Sequence, residues 1–262
     1  MIRRDDQNNW LLIRQVEHAR LSAEIAAVWG NESVEPLPVP ELLLPAIRDH
    51  DVGWNEWAAS PGVDPETGSP RNFTEMPMAI STALWSTSIE VCAAQAPLAG
   101  IWVSRHFCWL AEQARETRQD IADEVAAIDD FLDDQTSRQQ DWCHEIQLQW
   151  QEVAGNFSLN DVKGLISEGL QYVQFFDRVS LWLCCSPAEK PFDTERPGGE
   201  SIRLTPGKSG GVTLSPYPLS VDRLELSASA DRIEARCYAN DRELQQAIEA
   251  AESEELRWVL SR

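Results

Sequence analysis

At 262 residues, the chain can bury one large core, or a main domain with a small appendage, without disulfide staples. Its 43 acidic residues outnumber 22 basic ones and give a formal net charge of -21, a surface that repels nucleic-acid phosphates; no local basic patch offsets it. No apolar run approaches the roughly 20 residues that span a bilayer, so neither nucleic acid nor membrane is an expected partner.

The opening Arg3-Arg4-Asp5-Asp6 lacks the basic, apolar, small-residue order of a signal peptide. The six cysteines, Cys92, Cys108, Cys143, Cys184, Cys185 and Cys237, show no C-x-x-C spacing. Reduced thiols in a cytoplasmic protein are expected.

In chain order, a first helix is expected from near Trp10 to Trp29, stopped by Gly30-Asn31, and a second from near Pro40 carrying His50 and Asp51. The turn-rich stretch from Ser60 to Pro70 reads as a loop. Further helices are expected over about 75–95, 98–116, 119–154 and 160–185. In the fifth of these six, Ile121, Val125, Ile128 and Leu132 recur at helical spacing and leave the acidic pairs Asp129-Asp130 and Asp133-Asp134 on a solvated face.

From Ser186 to Pro218 the texture turns to Pro, Gly and Ser, which reads as a boundary or as short strands with long turns. Alternating apolar residues near 221–229, 231–239 and 255–261 then predict strands, with a short helix from Asp241 to Glu252. The expected fold class is α+β and mostly α: a helical domain over 1–190, and a small C-terminal sheet with one helix over 191–262.

The candidate site comes from spacing on the expected helices. His18 precedes Leu21 by three and Ile25 by seven, and His50 and Asp51 follow Ile47 by three and four. Asp177 lies four after Val173 and four before Leu181, and His106 shares a face with Val103 and Leu110. A carboxylate inside an apolar stripe must be neutralised, and a lone one usually meets an arginine. Two imidazoles and two carboxylates on separate inward faces point instead to a divalent transition metal, Mn, Fe, Co, Ni or Zn, since calcium prefers oxygen ligands throughout.

This order of residues resembles the HD superfamily of metal-dependent phosphohydrolases, an all-helical fold with a first histidine, a His-Asp pair, sometimes further histidines, and a distal aspartate. The matching positions are His18, His50 with Asp51 in His-Asp-Val-Gly, and Asp177 in Asp-Arg-Val-Ser. The resemblance implies an HD-like helical bundle that holds one or two metal ions, with His106 as a further ligand of a two-metal version and His144 as a weaker candidate. Many hydrolytic members carry a basic or histidine residue soon after His-Asp-x-Gly, where this chain has Trp54. The whole chain, including Ser215-Pro216-Tyr217-Pro218 and the terminal strands, is also similar to a bacterial domain family of unknown function with the same ligand order.

Other chemistries fit less well. Ser104 and His106 point away from each other on a helix, as do Cys143 and His144, so neither pair makes an activated nucleophile. Gly207-Lys208-Ser209 lacks the full phosphate-loop sequence. Of the eleven tryptophans, Trp29, Trp85, Trp102, Trp109 and Trp182 fall in apolar stripes and are expected in the core; Trp54 and Trp57, which follow the ligand pair, are also expected in the core, with walling of a pocket by one of them as the alternative.

The expected function is metal-dependent hydrolysis of a small phosphate ester or nucleotide, with Asp51 or Glu17 relaying a proton and Arg105 or Arg178 meeting the anionic substrate. Two other classes stay open: an HD-fold di-iron oxygenase, and a degenerate HD module that binds a ligand or partner without turnover.

Overall fold

The computed structural model describes residues 1–154, 159–185 and 190–262. Its elements in chain order are β1 (Ile2–Asp6), β2 (Asn9–Ile13), α1 (Gln15–Ala27), α2 (Pro40–Asp49), α3 (Trp54–Ala59), α4 (Met78–Gln95), α5 (Pro97–Thr117), α6 (Ala122–Ala154), α7 (Leu159–Cys185), β3 (Phe192–Glu195), β4 (Ser201–Pro206), β5 (Gly211–Ser215), β6 (Arg223–Glu234), α8 (Asp241–Glu249) and β7 (Glu252–Ser261). They group into two compact units, Met1–Pro36 with Trp54–Met76 and Phe175–Arg262, and Leu37–Gly53 with Pro77–Gln174. The sequence boundary expected at 190/191 falls inside the first unit, and residues 186–189 at its edge lie outside the described residues.

The first unit is built on a seven-stranded sheet in the order β1-β2-β6-β7-β5-β4-β3. All its pairs are antiparallel except β5 with β7, which makes it mixed. This corrects the expected architecture of an HD-like helical bundle with a small C-terminal β-rich subdomain: the sheet is large, and two of its strands come from the N-terminus. The expected helix from Trp10 therefore starts only at Gln15. Leu11, Leu12 and Ile13 are all buried, and an unbroken apolar run of this kind is compatible with either a strand or a buried helix.

The expected strands at 221–229 and 231–239 are replaced by one strand, β6, which ends at Glu234 and leaves 235–239 outside the sheet; its pairing with β7 runs unbroken from Arg223↔Ser261 to Arg232↔Glu252. Alternation puts Leu226, Ala228, Ala230, Leu256, Trp258 and Leu260 into the core. α1 packs on β6, where the small Ala228 and Ala230 leave room for it. β2 stops at Ile13↔Ala230, and side chains of α1 continue the hydrogen bonding beyond that point. Glu17 Oε2 accepts from the Ser229 amide at 3.1 Å, and Arg20 donates to the Ser227 carbonyl at 2.6 Å. Strand-edge groups that β2 does not reach are thereby satisfied.

The second unit is helical. α4 and α5 pack closely, and a Cβ at Gly100 would lie 2.6 Å from that of Ala93. Trp85 stacks on Phe107 with centroids 5.2 Å apart, and Trp102 donates its indole hydrogen to the Leu165 carbonyl at 3.0 Å. α5 and α6 also share a buried polar connection, in which Ser104 donates to Gln135 at 2.9 Å and accepts from Gln139 at 2.8 Å.

Two expected core tryptophans sit elsewhere. Trp109 is 40% exposed, and Trp182 is half-buried and stacked on Phe192. Among the described residues, no helix is long and apolar enough to cross a membrane.

Candidate metal centre

In the first unit, α1 presents Gln15, His18, Ser22 and Ile25 as buried residues of one face. His18 is fully buried, and its Nδ1 lies 3.0 Å from Ser180 Oγ and 3.9 Å from an Asp177 carboxylate oxygen. Ser180 Oγ also donates to the Asp177 carbonyl at 3.0 Å and lies 2.7 Å from Ser22 Oγ. The His18 ring is thereby positioned by a hydrogen bond between Nδ1 and the Ser180 hydroxyl.

In the second unit, α2 ends at Asp49, and His50 to Gly53 form a turn, where the sequence predicted a helix continuing through Asp51. His50 Nδ1 lies 2.7 Å from the Ile47 carbonyl, which as an acceptor fixes the hydrogen on Nδ1 and the lone pair on Nε2. Asp51 Oδ2 is 3.8 Å from that Nε2. His106 stands on α5 with its ring 5.7 Å from His50 and nearly perpendicular to it. Gly53 donates its amide to Ser88 Oγ at 2.9 Å, which ties the turn to α4.

His50, Asp51, His106 and Asp177 are all less than 9% exposed. Each unit thus buries a His/Asp pair of metal-ligand type, His18 with Asp177 in the first and His50 with Asp51, beside His106, in the second. Both His18 and His50 have Nδ1 engaged by an oxygen, the kind of partner that orients metal-bound imidazoles. Three imidazoles and two carboxylates suit a divalent transition ion, whose two charges match the two buried carboxylates.

The remaining candidates are placed differently. The Glu17 carboxylate is engaged by Arg20 and the Ser229 amide, and Arg178 reaches the Glu195 carbonyl at 3.4 Å. Arg105 is half-buried and makes no ion pair among the described residues. His144 is exposed.

The comparison with protein families matches residues 1–235 to the family described as "Protein of unknown function (DUF3891)". The chain belongs to this family. The DUF3891 match runs from β1 through β6 and so takes in all five candidate ligands. No curated protein and no solved structure matches the chain.

Spacing could have pointed to the supporting residues of this DUF3891 chain, since Ser22 follows His18 by four and Ser180 follows Asp177 by three. Replacing Ser180 with alanine is expected to lower metal affinity by roughly 10–100-fold, the usual effect of losing a partner that orients a ligating imidazole. Chelator competition measures this. Ser22→Ala should have a smaller effect, because Ser22 bonds carbonyls and Ser180 but not the imidazole. Unchanged affinity in Ser180→Ala would show that the hydroxyl has no part in presenting His18.

Proposed function

We propose that this chain is a metal-dependent hydrolase of a small phosphate ester or nucleotide, of the HD type. The observation that carries the reading is that each unit buries a His/Asp pair, His18 with Asp177 at 3.9 Å and His50 with Asp51 at 3.8 Å. His18, His50, Asp51 and Asp177 would hold the ion, with His106 available to a second. Bound there, a divalent ion supplies Lewis acidity toward a phosphoryl oxygen and lowers the pKa of water.

The chain's own residues divide the remaining work. The Ile47 carbonyl holds the hydrogen of His50 on Nδ1, and Ser180 positions the His18 ring. Asp51 is the carboxylate best suited to take a proton from the attacking water, because Glu17 is committed to Arg20 and β6. Arg105, next to His106 in α5 and without an ion pair among the described residues, is the cation left to meet an anionic substrate. In so acidic a chain a local guanidinium offsets long-range repulsion of that substrate.

His106 favours a second reading, a di-iron oxygenase, since its ring lies 5.7 Å from that of His50 and could serve another ion. Elemental analysis of protein purified without added metal, followed by assay with Mn, Co, Ni and Mg against nucleotides and sugar phosphates, separates the two. About one divalent ion per chain with phosphate release supports the hydrolase. Two irons per chain without phosphate release supports the oxygenase. Failure to retain any transition metal after loading would remove both.

A further inference from the structure

Where β2 gives way to α1, the first unit carries a small cavity of about 280 Å³ lined by Leu12, Arg14, Glu17, Ser229, Asp231 and Ser253. The strand register builds it. Leu12 pairs with Asp231, and Asp231 in turn with Ser253, so the three stand side by side on one face of β2, β6 and β7. Ser229, two residues before Asp231 in β6, shares that face. Arg14 follows Leu12 by two with extended backbone and continues the alternation past the last β2–β6 pair. Glu17 enters from the first turn of α1.

The charges around this cavity are left open. In a chain with 43 acidic and 22 basic residues, the neighbouring arginines meet carboxylates: Arg20 meets Glu17 and Glu24, and Arg232 meets Asp6 and Glu254. Arg14 and Asp231 line one cavity, yet among the described residues neither makes an ion pair. Glu17 adds no open charge, because its carboxylate is taken by Arg20 and the Ser229 amide. One cation and one anion remain, with two serine hydroxyl groups beside them.

We infer that this cavity binds a small zwitterion of the α-amino acid class, its carboxylate on Arg14 and its ammonium on Asp231. A guanidinium fork matches a carboxylate, and an ammonium donates to carboxylate and hydroxyl oxygens. An anion alone would answer Arg14 and be repelled by Asp231, while an amine or a metal ion would meet the reverse. The volume lies just below the roughly 300–1,000 Å³ of drug-sized pockets, which suits a ligand of amino-acid size. The inference is independent of the hydrolase reading, since none of the five candidate metal ligands lines the cavity.

Calorimetric titration of the common amino acids into the full chain finds the tightest binder, which is then compared with its 2-hydroxy acid and its decarboxylated amine. Alanine, lactate and ethylamine are one such set. Each analogue lacks one charge, and each is expected to bind at least about 10-fold more weakly than the amino acid. Arg14→Gln should remove the preference over the amine and keep that over the hydroxy acid, and Asp231→Asn should do the opposite. No binding of any amino acid, equal affinity for the amino acid and either analogue, or folded variants that keep both preferences would overturn the site. The analogue comparison is made on the wild type, so it decides the matter even if a variant fails to fold.

Discussion

Asp51→Ala is expected to leave the protein folded but without metal, and to abolish phosphate release. Asp51 is 4% exposed, and its Oδ2 is 3.8 Å from His50 Nε2, so it can give the ion both an oxygen and a negative charge. Its loss should therefore weaken binding by more than the roughly 10–100-fold that follows from removing a supporting partner. Thermal melts separate this from a structural role. Metal at 100 times its Kd stabilises a folded protein that binds it by about 2.7 kcal/mol, so the wild-type melting temperature should rise on loading and that of the variant should not.

The metal-free comparison has the opposite sign. Removing a buried carboxylate relieves the desolvation that its ligand role demands, so metal-free Asp51→Ala should melt no lower than the metal-free wild type. A variant that melts well below it, with equal response to metal in both proteins, would make Asp51 a structural acid.

Helical periodicity made the burial of His18, His106 and Asp177 legible, because each sits within an apolar stripe of a helix the structure contains. His50 and Asp51 were read from the same rule, although the helix ends one residue before them. What the sequence hid was non-local. Asn9–Ile13 has no alternation to mark it as a strand, and its place in the sheet depends on β6, more than 200 residues later. The single strand β6 was split in the reading because the apolar phase shifts from Ala230 to Ile233 across Asp231 and Arg232, yet Asp231 pairs with Ser253 and Arg232 with Glu252, so the ladder continues.

Glu17 shows the same limit at the level of one side chain. As the neighbour of His18 in sequence it was a reasonable proton relay. Its partner is fixed by where β2 stops: Ser229 lies one residue past the last β2–β6 pair, so its amide needs an acceptor from elsewhere and Glu17 supplies it. Ser180 and the Ile47 carbonyl escaped notice for a related reason, since a ligand's second hydrogen bond depends on rotamers and helix ends that residue types alone do not encode.

Gly53→Ala is expected to destabilise the second unit severely. A Cβ at that position would lie 2.0 Å from the Leu84 carbonyl oxygen and 3.0 Å from Ser88 Oγ, against the backbone of α4. A side chain could rotate away from such a contact, but helix backbone cannot, so the turn must move and the Gly53–Ser88 hydrogen bond is lost with it. A steric and hydrogen-bond defect of this kind costs on the order of 3 kcal/mol or more, which corresponds to a melting-temperature drop of roughly 6–12 °C.

His50 and Asp51 lie three and two residues before this glycine, so metal affinity should fall in the same variant even where enough protein stays folded to measure it. Gly164→Ala is the control. It lies within α7, where nothing comes within 4 Å of an added Cβ, and the change should stabilise by about 0.5–1 kcal/mol through helix propensity. Opposite signs from the same chemical change would tie the glycine of His-Asp-Val-Gly to the close approach of α4. A Gly53→Ala protein that melts with the wild type and binds metal equally would mean that the turn is not seated against Leu84 as described.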